Sequence, residues 1–169
     1  MDATALRTLQ APLKDKYRAE PEAAVITLKA EGTLDDRHIA CKVETGRALA
    51  VAGLHPATGG SGAELCSGDM LLEALVACAG VTLKAVATAL EIPLRHGAVK
   101  AEGDLDFRGT LGVDKAAPVG FRAIRLSFEL DTDAPQEKVD QLLKLTERYC
   151  VVFQTLNQKP ELTVAAKRS

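Results

Sequence analysis

The stretch Ser67-Gly68-Asp69-Met70-Leu71-Leu72-Glu73-Ala74-Leu75-Val76-Ala77-Cys78-Ala79-Gly80-Val81-Thr82-Leu83-Lys84-Ala85-Val86-Ala87-Thr88-Ala89-Leu90 decides how the rest of the chain is read. Leu72, Val76, Ala79, Leu83, Val86 and Leu90 recur at alternating steps of four and three, and Leu71, Leu75 and Cys78 add an adjacent stripe. That period predicts an α-helix. Apolar residues over most of its circumference predict a helix buried on nearly every side. Ser67 is the expected N-cap, because its hydroxyl can accept from an orphan N–H of the first turn. Pro93 is the expected stop.

Outward from this helix the pattern changes from period 3.6 to period 2. On the N-terminal side, Ile26, Leu28 and Ala30 alternate with polar residues, as do Ile39, Cys41 and Val43, and Leu49 to Val51 follows a Thr45-Gly46 turn signal. Three such runs at close spacing predict an antiparallel meander. A Gly/Pro/Ser/Thr-rich loop, His55 to Gly68, joins the meander to the helix. On the C-terminal side, Val99 to Phe107 and Ile124 to Leu130 alternate strictly. Asp133-Ala134-Pro135 opens a second helix carrying Val139, Leu142, Leu143, Thr146, Cys150 and Phe153 on one face, and Leu162, Val164 and Ala166 predict a final strand. Residues 1–20, with a short helix at Ala5 to Leu9 ahead of Pro12, read as an N-terminal extension, and residues 21–169 as one domain. Strands in runs with helices between them give an α+β architecture of antiparallel sheets packed on a long central buried helix and a second helix.

The 169 residues carry a net charge of −2 and no Lys/Arg cluster, so neither nucleic acid nor a membrane surface is an expected partner. Met1 to Pro12 has no continuous apolar run, which excludes a secretory signal there and makes the cytoplasm the expected location. In a reducing compartment a disulfide is transient and chemical rather than a staple. None of the four cysteines has CxxC spacing, and His38, His55 and His96 make no ligand pattern with them. No metal and no cofactor is therefore expected.

The cysteines differ in their surroundings. Cys41 falls on the apolar face of a strand, where a free cysteine is ordinarily a small core residue. Cys66 precedes the long helix and has no evident role. Cys78 lies in Ala77-Cys78-Ala79-Gly80, where small neighbours leave room for a substrate or a second thiol. No positive charge stands within one helical turn of it, and position alone gives a buried structural cysteine. Cys150, in Glu147-Arg148-Tyr149-Cys150-Val151-Val152, points inward from the second helix. Periodicity lets these two thiols meet at disulfide distance but does not require it.

The stretch Asp69 to Leu83, leucine-rich and then small around a cysteine, resembles the central helix of the OsmC/Ohr family (osmotically induced and organic hydroperoxide resistance proteins), in its OsmC-like subgroup. Glu147 to Val152 is similar to that family's second cysteine motif, and the likeness in element order runs from Ala24 to Ala166. The resemblance implies an intertwined homodimer with two sites at the subunit interface. It also implies a thiol peroxidase acting on organic hydroperoxides: Cys78 attacks, Cys150 resolves, and an external dithiol reductant opens the disulfide. Where that family carries a proline and a glutamate ahead of the reactive cysteine, this chain has Ser67 and Gly68, and Val151 stands where a proline often follows the second cysteine. Asp69 is the substitute carboxylate, effective only if the helix starts after it. Arg37, in Asp35-Asp36-Arg37, is the expected activating cation, with Arg47 as the other candidate. The missing glutamate also admits a relative with little or no catalysis, which binds a small apolar ligand or senses oxidation through a slow Cys78–Cys150 disulfide.

Overall fold

The computed structural model describes residues 2–19, 31–34, 40–44, 49–112 and 114–168. Helix α1 spans Ala3–Ala19, so it runs on through Pro12 where a short helix was expected. Asp2 caps it by accepting from the Ala5 N–H, and an Arg7–Glu91 ion pair ties it to the turn at the far end of the next helix.

Strands β1 (Glu31–Leu34), β2 (Ala40–Glu44) and β3 (Leu49–Gly53) form the antiparallel meander. The strand expected at Ile26 to Ala30 lies outside the described residues. β1 was missed because Glu31-Gly32-Thr33-Leu34 holds a single large apolar residue and no alternation. A two-residue strand, β4 (Leu65–Cys66), pairs parallel to β3 and sets Cys66 beside Gly53. Between them the loop turns through a 3-10 segment at Pro56–Thr58, capped by His55 and ended by Gly59 at a left-handed φ of 92°.

Helix α2 spans Ser67–Ala89. Its N-cap is Cys66, one residue before the expected Ser67, and Cys66 makes no side-chain cap bond. The helix ends before Pro93 is reached: Leu90 is the C-cap and Glu91 takes a left-handed φ of 57°. Strands β5 (His96–Asp104) and β6 (Ala123–Asp131) pair antiparallel along their full length, from His96↔Asp131 to Asp104↔Ala123. β5 stops short of Phe107, which instead opens the four-residue helix α3 (Phe107–Thr110), because the Asp106 carboxylate accepts from the Arg108 N–H and starts a helical turn. Helices α4 (Gln136–Tyr149) and α5 (Val151–Asn157) follow.

The inward faces of β5 and β6 cover one side of α2, while α4 and α5 cover another. Two core clusters result. Leu83, Ala87, Ile92 and Leu142 form one; Leu75, Ala79 and Cys150 form the other, with Phe128 packed against both. Only this stripe of α2 is buried within the chain. Leu71, Ala74, Ala77 and Val81 are exposed, so the helix is not covered all round as its composition predicted. The expected last strand is absent as well: residues 159–168 have no regular structure, and Val164 is 99% exposed. Alternation alone makes no strand where no sheet edge lies alongside to accept its hydrogen bonds.

Candidate active site: a thiol pair at the joint between two helices

Cys78 sits in the middle of α2, on the edge of the buried stripe formed by Leu75 and Ala79. Cys150 reaches it from α4. Leu142, Thr146 and Cys150 recur at four-residue spacing on the buried face, and Thr146 turns its hydroxyl onto the Leu142 carbonyl at 2.8 Å. Cys150 is both the C-cap of α4 and the N-cap of α5, with an extended φ of −74° and ψ of 107°. Its N–H closes α4 on the Thr146 carbonyl at 2.9 Å, and its own carbonyl accepts from Gln154 in α5 at 2.9 Å. The chain therefore changes direction at a residue that is fully buried. A helix that starts there leaves its first N–H groups without intrahelical partners.

Polar groups of that joint stand near Cys78. Burial pushes the Cys78 thiol up, and the nearby Val152 N–H, Cys150 thiol, Val151 N–H and Thr82 hydroxyl push it down. The net direction is down from the ordinary thiol value. Cys150 moves the other way. Burial raises it, and the neighbouring Cys78, as a polar partner and as a negative thiolate, raises it further, against the backbone N–H groups of Phe153 and Val152. The pair thus divides into one thiol poised to ionise and one that keeps its proton. Both are free thiols in this structure.

The surroundings of the pair are apolar. Val99 and Ala101 from β5, Ile124, Leu126 and Phe128 from β6, and Val152 and Phe153 from α5 pack against it. Lys100, Glu102, Arg125 and Glu129 occupy the opposite, exposed face of the two strands. Among the described residues, then, nearby polar groups rather than a formal positive charge shift the Cys78 thiol down. Beside the cluster lies a cavity of about 320 Å³ whose apolar walls include Leu75, Ile124, Leu126, Phe153 and Leu156. Arg122 and Asn157 stand on its lining. The Arg122 guanidinium is 3.8 Å from Asp106, a carboxyl held down to about 2 chiefly by Arg108.

Of the residues expected from the sequence, Cys78 and Cys150 are brought together. Asp69 is not: the helix starts before it, at Ser67, so Asp69 is an exposed first-turn residue. Nine helical residues put it about 14 Å along the axis and about 180° round from Cys78. Cys66 is half-buried at the N-cap, about 18 Å along the helix from Cys78. It lines a separate cavity with His55, whose ring stacks on Phe107 at 4.9 Å. Cys41 pairs in register with Leu34 and Ala52. Arg37 and Arg47 lie outside the described residues. Three groups that lower the Cys78 thiol went unrecognised in the sequence. Thr82 was visible as the residue four positions on, where helix neighbours meet. Val151 and Val152 carried no signal, since an α4–α5 break at Cys150 leaves the apolar periodicity intact through Phe153.

The fold has many solved counterparts. An OsmC-like protein from Mycoplasma pneumoniae superposes with a TM-score of 0.65 at 16% identity, covering 79% of this chain and 89% of that one. An organic hydroperoxide resistance protein OsmC from Legionella pneumophila gives 0.62 at 18% identity, over 80% and 92%. An organic hydroperoxide resistance protein from Elizabethkingia anophelis gives 0.64 at 14% identity, over 80% and 91%. No curated protein sequence matches the chain. Residues 60–165, which include α2, the β5–β6 pair, α4, α5 and both cysteines of the pair, match the family of OsmC-like proteins. This chain belongs to the OsmC-like protein family.

Proposed function

We propose that the protein is a thiol peroxidase that reduces organic hydroperoxides, working as a cytoplasmic homodimer with an external dithiol reductant. The observation that carries this reading is that half-buried Cys78 in the middle of α2 packs against the cluster holding buried Cys150 at the α4–α5 joint, with the Cys78 thiol shifted down and the Cys150 thiol up. The thiolate of Cys78 attacks the hydroperoxide, an S–O bond forms, the O–O bond breaks, and the alkoxide takes a proton and leaves as the alcohol. Cys150 then attacks the sulfenic sulfur, an S–S bond forms, and water departs. Two thiols and one hydroperoxide give one disulfide, one alcohol and one water. The dithiol reductant returns both thiols by exchange. A mostly apolar cavity that shares Leu75, Ile124, Leu126 and Phe153 with the cluster around the pair, with neither cysteine in its lining, supports an organic rather than an inorganic substrate. The Legionella and Elizabethkingia structures, both of organic hydroperoxide resistance proteins, point in the same direction.

A second reading is a ligand-binding or redox-sensing relative. Gly68 in place of a glutamate, with Asp69 turned away, favours it. Turnover separates the two. Reduced protein mixed with cumene hydroperoxide and a dithiol should consume the substrate over many cycles. Cys78→Ser should abolish consumption while leaving the fold intact, and Cys150→Ser should stall at a sulfenic acid that a dione trap captures. Unchanged turnover in Cys78→Ser, or a single slow oxidation of the unmodified protein, would overturn the peroxidase reading.

A further inference from the structure

Arg122, immediately ahead of β6, sets a charge on the inward side of the sheet. Ile124, Leu126, Phe128 and Leu130 form the half-buried inward row of β6, while Arg125, Ser127 and Glu129 face out. Arg122 continues the inward row by one step, because side chains two apart lie on one face of a strand. Its N–H donates to the Asp104 carbonyl at 2.8 Å, so the bonding to β5 extends through it. Its side chain is 60% exposed and stands on the lining of the cavity of about 320 Å³, with Leu75, Ile124 and Leu126. A solvent-reaching cation thus shares the lining of a cavity whose other walls are mostly apolar.

The neighbouring guanidinium groups already hold carboxylates. Arg125 donates to Asp104 at 2.9 Å, and Arg108 donates to Asp106 at 2.6 and 3.0 Å. Arg122 comes no closer than 3.8 Å to Asp106, whose carboxylate also accepts from the Arg108 N–H. Among the described residues the Arg122 guanidinium donates no hydrogen bond, and neither does the side chain of Asn157 on the same lining. We propose that Arg122 is a specificity-determining residue of this cavity, selecting an apolar molecule that carries a carboxylate. The carboxylate accepts from the guanidinium, and the apolar part covers Leu75, Ile124 and Leu126, the walls shared with the cluster around the thiol pair. A neutral molecule of the same size covers those walls but leaves the guanidinium to water. The role of Arg122 in turnover, as a preference for carboxylated over neutral hydroperoxides, rests on the peroxidase reading; its role in binding does not.

The test uses octanoate and octanol, which match in apolar chain and carry no peroxide, titrated into the reduced protein by calorimetry. Octanoate should bind more tightly than octanol by roughly 3- to 10-fold at low salt, and added salt should shrink that advantage. Arg122→Gln should erase the advantage and leave the octanol affinity unchanged, whereas Arg122→Lys should keep part of it. Arg122→Ala serves as a second charge-free variant should the first fail to fold. Lys138→Gln, which removes one exposed charge from α4, should keep all of the advantage. Equal affinities of the unmodified protein for the two probes would overturn the proposal. So would an advantage that survives both charge-free variants, or one that Lys138→Gln also erases, since net charge would then be its source. Binding of neither probe would overturn it as well, the cavity then being closed to small molecules. Absence of hydroperoxide turnover in every form would count against the peroxidase reading, and the two affinities would still decide the role of Arg122.

Discussion

The Cys78 thiol is shifted down and the Cys150 thiol up, and this asymmetry has a consequence at the scale of one residue. Removing the Cys150 donor should raise the Cys78 value toward that of an ordinary thiol. With a lowered value, the thiolate persists as pH falls below the ordinary thiol range and is lost only as pH drops through the folded value. Raising that value moves the loss of reactivity to higher pH. Cys150→Ala, which has no donor, should therefore displace the alkylation midpoint of Cys78 upward, and Cys150→Ser, which keeps one, should displace it less. Equal midpoints in the two variants would mean that the side-chain donor at 150 does not matter and that the backbone of α5 holds the thiolate alone. The sequence disclosed the identity of both cysteines and their inward periodicity. It could not disclose the donors, because a backbone N–H carries no side-chain signature and is freed only by the change of direction at Cys150.

The elements explain why that geometry holds. α2 is clamped between the β5–β6 pair and α4, and Leu142, with no exposed surface, sits at the contact. Leu142→Ala should cost about 2–5 kcal/mol by leaving a cavity there, measured by chemical denaturation. On the sheet side, Gly103 leaves space for the Phe121 ring: a Cβ at 103 would stand 2.4 Å from its Cε1. Gly97, in the same strand, would meet Leu130 at an ordinary 3.5 Å. Gly103→Ala should thus destabilise by about 1–3 kcal/mol and displace Phe121 from the cavity wall, while Gly97→Ala should be tolerated. Equal stabilities for the two variants would show that the ring has other room. β5 and β6 were legible because both pair along nine residues with one face inward, which forces strict alternation. α2 and α4 were legible from their apolar stripes. β4 was not, since two residues hold no period, and the predicted strand at Leu162 to Ala166 does not form, because no described strand edge pairs with it.

At the scale of the whole molecule, the surface of α2 left uncovered by the described residues bears on the proposed homodimer. An 18-residue window of this helix has a mean hydropathy of 1.8, yet only 22% of the window is buried within the chain. Val81 is 73% exposed and Leu71 37%, with Ala74 and Ala77 exposed between them on a face of small and apolar residues. Contiguous apolar surface of this kind marks an interaction site. A second copy is the occupant we propose, because a small-residue face lets two identical helices approach closely and the same stripe then covers itself about a two-fold axis. The purified protein should sediment as a dimer at micromolar concentration, with a Tm that rises with concentration. Val81→Asp should shift it to monomer, since a carboxylate buried against its own symmetry mate has no compensating partner. If the unmodified chain sediments as a monomer, the homodimer is wrong. Any cation needed at Cys78 would then have to come from the chain's own residues, and the thiol would depend wholly on Val151, Val152, Cys150 and Thr82 unless an arginine such as Arg37 reaches it within the same chain.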